Sequence, residues 1–215
     1  MRRYLDRGDQ VFAACRSPHQ AVELAALKSE YAGRLAVIQL EVTNLGEIEA
    51  AVDLVKTQVP ALDILINNAG MSPSGETLEN LKAETMLETL SVNAVAPVII
   101  AQKYKELLAA GENPKLVNVT SQLGSLARKR SGGRYSYNGS KAALNMYSRA
   151  LAFDLQGDGV ITIMIHPGWV QTDMGGRGAS LTVAQSALGV MAVIDSLTMK
   201  DLGRFLQWDG SELPW

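Results

Sequence analysis

Short apolar runs alternate along the chain with longer stretches in which apolar residues recur at helical spacing, so strand and helix are predicted in turn. Strands are predicted at Gln10 to Cys15, Leu35 to Leu40, Leu62 to Asn67, Lys115 to Thr120, Val160 to His166 and Arg204 to Trp208. Residues 1 to 7 read as the end of a helix closed by Gly8. Ser17-Pro18, a cap followed by a first-turn proline, opens a helix that runs to about Tyr31 and stops at Gly33. Asn44, with Glu47 three residues on, has the form of a capping box for a helix to about Gln58. A long helical region from about Asn80 to Ala110 carries Pro97, which should break or kink it. Two further helices are predicted, one headed by Tyr137 and reaching about Gln156, the other from about Thr182 to Ser196. Strand and helix alternating at this rhythm make a parallel, doubly wound α/β sheet. Residues 1–215 contain no repeat, low-complexity segment or linker that divides them, so a single domain is expected.

The candidate chemistry gathers at Tyr137-Asn138-Gly139-Ser140-Lys141. Residues i and i+4 share a helix face, which sets the phenol beside the ammonium. A free tyrosine titrates near pH ~10 and is a poor proton donor at neutral pH. A lysine charge ~4 Å away, at an effective dielectric of ~20, favours the phenolate by up to ~4 kcal/mol, or ~3 pKa units, and brings the tyrosine into acid/base range. Tyr-x-x-x-Lys is also a common surface pair, so the surroundings decide. Lys115-Leu116-Val117-Asn118-Val119-Thr120-Ser121 reads as a buried strand ending in hydroxyls. Asp63-Ile64-Leu65-Ile66-Asn67-Asn68-Ala69-Gly70 is another apolar strand ending in polar and small residues. Ser91-Val92-Asn93-Ala94 lies inside a helical stretch, and the strand from Val160 leads into His166-Pro167-Gly168, then Val170-Gln171-Thr172-Asp173. Each piece has an ordinary reading: Ser121 as a strand-end cap, Asn93 as a backbone partner before Pro97, Asn67 and Asn68 as turn residues, His166 as structural.

In this order, Asn-Asn-Ala-Gly, the hydroxyl-ended strand, Tyr-x-x-x-Lys and Pro-Gly resemble the short-chain dehydrogenase/reductase family from about residue 5 to the C-terminus. Thr172-Asp173-Met174-Gly175-Gly176 and the closing Asp209-Gly210 and Pro214-Trp215 resemble its C-factor-like, carbonyl-reductase-like branch. The resemblance implies a Rossmann-type fold and hydride transfer between NAD(P)(H) and a small-molecule carbonyl or secondary alcohol. It implies Tyr137 as general acid/base, Lys141 as the group that lowers its pKa and binds the nicotinamide ribose, Ser121 as the holder of the substrate oxygen, and Asn93 in a proton relay. These roles cohere, because hydride transfer leaves charge on one oxygen and needs a donor and a proton source together. Cofactor contacts are implied for Arg16, Glu41, Asn67, Ala69, Gly70, Lys141, Pro167, Gly168 and Thr172. Arg16 directly follows a strand, where it either binds the 2′-phosphate of NADP or is a solvated arginine; the first reading favours NADP(H) over NAD(H). Glu41 falls where the family usually has an aspartate facing the adenine. The loop Gly175-Gly176-Arg177-Gly178 suits a mobile lid and is no dinucleotide fingerprint, because no apolar strand leads straight into it. The Tyr137 and Asn93 helices resemble those through which family members dimerise, so a homodimer or homotetramer is expected.

The family's first strand and the glycine-rich turn after it are absent, so the expected fold is an N-terminally truncated Rossmann type. In that fold the absent strand is central and its turn holds the pyrophosphate. Two expectations follow: the Val11 strand pairs directly with the Ile64 strand, or a second copy fills the slot; and dinucleotide affinity is weak or absent. The competing reading is a reductase-like scaffold that binds no dinucleotide and acts by protein association. Composition narrows the classes further. Hydrophobic residues are 47% and charged residues 20%, with a net charge of -2, which suits a globular chain and gives no basic stripe for nucleic acid. The single cysteine, Cys15, forms no internal disulfide and points to an intracellular, cytoplasmic setting. No run of ~18 apolar residues is read, so no membrane span is expected, and no metal-ligand set is seen.

Overall fold

The computed structural model describes residues 1–215, which form two compact units, Met1–Pro60 and Ala61–Trp215. In the first unit, helix α1 (Arg2–Arg7) ends at Gly8 as expected. Strand β1 (Val11–Cys15) pairs in parallel with β2 (Leu35–Gln39), from Val11 opposite Leu35 to Cys15 opposite Gln39. Between them, Pro18–Gln20 makes a single 3₁₀ turn and α2 is confined to Val22–Glu30. The expected cap at Ser17 is not made; its side chain bonds no backbone amide, and the chain re-starts its helix after Ala21. Leu5, Ala13 and Leu35 form this unit's small core, with Val11, Leu24, Leu27 and Tyr31 packed against it. Helix α3 (Leu45–Gln58) starts at Asn44, whose side chain accepts from the Glu47 amide at 3.2 Å. Glu47 does not close the expected box: its carboxylate accepts from the Glu41 amide instead, at 2.6 Å.

The second unit carries β3 (Ile64–Asn67), α4 (Ala83–Leu90), α5 (Ala96–Ala109), β4 (Lys115–Val119), α6 (Tyr135–Leu155), β5 (Ile161–His166), α7 (Val183–Ser196) and β6 (Phe205–Gln207). Its four strands are parallel in the order β3-β4-β5-β6. β4 and β5 are buried along almost their whole length, which is why their apolar residues run without alternation. Val117, Ile161, Ile163, Ile165 and Leu206 on one face of the sheet pack against Val193, Ile194 and Leu197. Parallel strands joined through helices make this the Rossmann-type α/β fold that the alternation predicts.

Direct pairing of the Val11 strand with the Ile64 strand is not found: β1 bonds only β2, and β3 bonds only β4. That expectation took the free edge of β3 to be sealed from water. Instead Ile66 is 38% exposed and Ile64 and Leu65 are half-buried, so the strand is not wholly sealed. Pro97 does not break its helix. Between α4 and α5 the residues Ser91–Val95 widen into a π turn, in which the Ala96 amide reaches back to Ser91 O. Proline has no N–H to give the carbonyl four residues before it, and the wider turn absorbs that loss. The continuous helical stretch Ala83–Ala109 is, by length and mean hydropathy alone, sufficient to cross a membrane, a test that a core helix also passes; it holds no unbroken run of ~18 apolar residues. It buries Asn93, Ala94, Ile100, Ala101, Tyr104, Leu107 and Leu108, and α4 and α5 both pack on α6.

Candidate active site

Tyr137 lies in the first turn of α6, 9% exposed. The residue at the helix cap is Arg134, in the left-handed region (φ 53°), and it makes no capping bond. The cap comes from a distant segment: Glu76 accepts from the Ser136 amide at 3.0 Å and from the Ser136 hydroxyl. A carboxylate at a helix N-terminus also opposes the positive end of the helix dipole. Glu76 was invisible to sequence reasoning, because 60 residues separate it from Ser136.

One turn on, Lys141 is 4% exposed, with Nζ donating to Val119 O at 2.9 Å and lying 5.9 Å from the Tyr137 ring centre. Burial pulls the lysine down to about 8. The expected lowering of Tyr137 by Lys141 is not what the site shows. Burial raises the phenol, while a hydrogen bond with Ser121 and the charge of Arg134 pull it part of the way back. Desolvation wins because the phenolate would sit among buried groups. At neutral pH the pair is therefore a neutral phenol beside a mostly protonated lysine.

Ser121 follows β4 and caps a short 3₁₀ turn, accepting from the Leu123 amide at 3.1 Å. Asn93, fully buried in the π turn, uses all of its amide: Oδ1 accepts from Met71 N at 2.8 Å, and Nδ2 donates to Met71 O at 2.8 Å and to Ser140 Oγ at 3.0 Å. Ser140 in turn donates to Tyr137 O at 2.8 Å. Asn93 thus brackets the segment after β3 to the tyrosine helix. A Cβ added at Gly70 would lie 3.3 Å from Asn93 Oδ1 and 3.7 Å from Lys141 Nζ, which places the exposed Asn68-Ala69-Gly70 turn against both. Asn93, Ser121, Tyr137, Lys141 and Gly70 are therefore brought together.

The other named residues fare differently. The Asn67 side chain turns inward, donating to Asn118 Oδ1 at 2.8 Å and Pro97 O at 3.3 Å, and Asn118 continues to Ser148 Oγ at 2.8 Å. Thr120 makes a parallel link to Asn145 Oδ1 at 2.7 Å. This polar ladder under the site was missed, although Asn118 inside an otherwise apolar strand was its signal. Pro167 O accepts from Ser186 Oγ at 2.6 Å, fixing the end of β5 to α7. Gly168 has a φ of 86°, at which any side chain is strained, and a Cβ there would also push on Leu181 Cδ1. Thr172 is exposed and accepts from Gly175 N at 3.2 Å, building the following turn. His166 is buried with Nδ1 unpartnered, and burial, helped by the charge of Arg128, takes it to about 4, so it is neutral. Arg16 and Glu41 lie in the first unit, after β1 and β2; Glu41 accepts from the Thr43 hydroxyl at 3.2 Å, while Arg16 is exposed.

The donor set fits a nicotinamide ribose. The Lys141 ammonium is buried, yet only one of its three N–H groups has an acceptor, and two remain for hydroxyl oxygens. The buried lysine also gives a stability signature. Its pKa is about 8 folded against 10.5 for the free group, so between those values the unfolded chain holds the proton and the folded chain does not. Stability relative to Lys141→Met should then rise as pH climbs from 8 towards 10.5, by ~1–3 kcal/mol. Urea unfolding of both chains across that range checks it, and parallel profiles would contradict it.

Known proteins resemble this chain in sequence and in fold. A family model described as short chain dehydrogenase matches residues 1–180. The chain is 42% identical over 154 residues to the protein named C-signal of Myxococcus xanthus, covering 72% of this chain and 93% of that one. It is 34% identical over 214 residues to 1-hydroxy-2-glutathionyl-2-methyl-3-butene dehydrogenase of Rhodococcus sp. (strain AD45), covering 98% and 90%. Among solved structures, the NADPH-bound carbonyl reductase from chicken fatty liver matches with a TM-score of 0.91 at 34% identity, covering 96% of this chain and 88% of that one. The carbonyl reductase Sniffer of D. melanogaster matches with a TM-score of 0.92 at 31% identity, over the same shares.

Proposed function

Because this chain belongs to the short-chain dehydrogenase family, we propose that it is an NADP(H)-preferring oxidoreductase that interconverts a small carbonyl compound and its secondary alcohol. The reading takes residues 1–215 as one functional domain acting in the cytoplasm. The observation that carries it is the meeting of the Tyr137 phenol with the Ser121 hydroxyl, beside the buried Lys141 ammonium and the open Asn68–Gly70 turn. When bound, the nicotinamide supplies or accepts the hydride. Ser121 holds the substrate oxygen by a hydrogen bond, and Tyr137 gives that oxygen its proton. A phenol raised by burial is protonated at neutral pH, which suits the reduction direction. Lys141 steadies the charge left on the phenolate and orients the ribose through its two unused N–H groups. Asn93 holds the Gly70–Met71 backbone beside Lys141, its side-chain amide being fully occupied in doing so. Ala69, Gly70, Pro167, Gly168 and Thr172 line the nicotinamide side, with Asn67 supporting them from beneath.

NADP preference rests on Arg16, an exposed arginine for which no acidic partner is seen, directly after β1. Starting from a dinucleotide affinity that is expected to be weak, Arg16→Ala should lower NADPH affinity about tenfold and leave NADH affinity within about twofold, since a guanidinium–phosphate contact contributes on the order of 1.5–3 kcal/mol. Calorimetric titration with both nucleotides reads this, and an equal loss for the two would refute it. A homo-oligomer belongs to the same reading. On α6, Met146 is 67% and Phe153 61% exposed, more apolar surface than a solvated helix carries, although Leu144 is buried in its own core and contributes nothing outward. A second reading is a scaffold that acts by protein association without dinucleotide; beside it stands one relative, C-signal, whose name is not that of an oxidoreductase. Steady-state assay of NADPH oxidation with a panel of aldehydes and ketones separates the two readings.

A further inference from the structure

The turn that carries Ser121 is gripped from two sides. On one side it lies directly on the tyrosine helix: a Cβ added at Gly124 would sit 2.8 Å from Lys141 C and 3.0 Å from Ala142 N, so only glycine allows this approach. Gly124 N donates back to Ser121 O at 2.8 Å, which closes the turn on the serine. On the other side stand the last residues described. Ser125, 2% exposed, donates from Oγ to Pro214 O at 2.6 Å and accepts from Arg128 N at 3.2 Å. Ala127 N donates to Trp215 O at 2.7 Å.

Those residues are themselves anchored. Leu213 is 3% exposed, packs with Met164 and Phe205, and donates from its amide to Phe205 O at 2.8 Å. The Trp215 ring lies 5.6 Å from the Phe205 ring and 5.3 Å from the Arg149 guanidinium. Arg149 belongs to α6, two turns beyond Lys141, and donates to Gly203 O at 3.3 Å. The segment Leu213–Trp215 therefore ties the turn after Ser121 to the sheet and to the helix that carries Tyr137.

We propose that Leu213–Trp215 is a clasp that sets the position of Ser121 against Tyr137, with Ser125 and Trp215 as positioning residues for proton transfer. This rests on the role of Tyr137 and Ser121 given above. Without the clasp, the 125–128 end of the turn has no tie to the sheet, and the Ser121 hydroxyl loses its alignment with the phenol. The Ser121 hydrogen bond is also one of the two influences that lower the phenol, so misalignment should let burial raise it further.

Three variants test this: Ser125→Ala, Trp215→Ala and Trp215→Phe, with Tyr137→Phe as the spectroscopic blank. The Tyr137 phenol is titrated by ultraviolet difference against the blank, and kcat and KM are measured with NADPH and a carbonyl substrate. Ser125→Ala and Trp215→Ala should move the phenol ionisation up by about one pH unit. They should lower kcat about tenfold with KM within about threefold, and Trp215→Phe should restore both. Wild-type titration and wild-type kcat in Ser125→Ala would overturn the clasp, even if Trp215→Ala fails to fold. Absence of turnover in the unsubstituted chain would sink the oxidoreductase reading alone; the phenol titration still decides the clasp.

Discussion

Tyr137→Phe should lower turnover by ~10²–10⁴-fold, the usual contribution of one positioned acid/base group. The fold should survive, because the ring packing is kept and only the phenolic oxygen, bonded to Ser121, is lost. KM should change little, since Ser121 still holds the substrate oxygen. Circular dichroism and thermal unfolding serve as controls for the kinetic comparison. Turnover within threefold of wild type would remove Tyr137 from the chemistry. Ser121→Ala is expected to act on the same step and to be far less than additive with Tyr137→Phe, as groups that work as a unit are.

Asn93→Ala should be the most destabilising single change in the site. It removes three hydrogen bonds at a fully buried position and leaves Met71 N–H, Met71 C=O and Ser140 Oγ short of partners. At ~1–3 kcal/mol for each buried group left unsatisfied, a loss of ~2–5 kcal/mol is expected, much of a domain's stability. Asn93→Asp should not rescue it, because a carboxylate can accept from Met71 N but has no hydrogens for Met71 O and Ser140. Urea unfolding reads the outcome, and a loss under 1 kcal/mol in both variants would show that the bracket is dispensable.

The strands and most helices were legible because their burial is simple. β5 is buried at every residue, and a run such as Ile161-Thr162-Ile163-Met164-Ile165 has no other use. The spacing of Tyr137 and Lys141 was legible too, since both lie within one helix. What could not be read was the balance of terms around them. Helix geometry suggested that the lysine lowers the phenol, but it says nothing of burial, and burial raises Tyr137 and depresses Lys141 together. Long-range polar partners were equally hidden: Glu76 capping α6, Asn67 bonded to Asn118, and Asn93 to Met71 each join residues more than 20 positions apart. Pro97 was recognised as a disturbance, yet its consequence, the π turn that carries Asn93 inward, depends on packing against α6. The edge of β3 failed for a related reason. A run of Ile64-Leu65-Ile66 looks like a strand buried on both sides, and sequence cannot reveal that Ile66 stays 38% exposed.

The most direct test of the whole account is to mix the purified chain with NADPH and a series of aldehydes and ketones and follow the nicotinamide absorbance, with Tyr137→Phe beside it. Carbonyl-dependent oxidation of NADPH by the unsubstituted chain, lost in the phenylalanine variant, is the predicted result. NADPH that binds and is consumed equally by both proteins, or not at all by either, would contradict it.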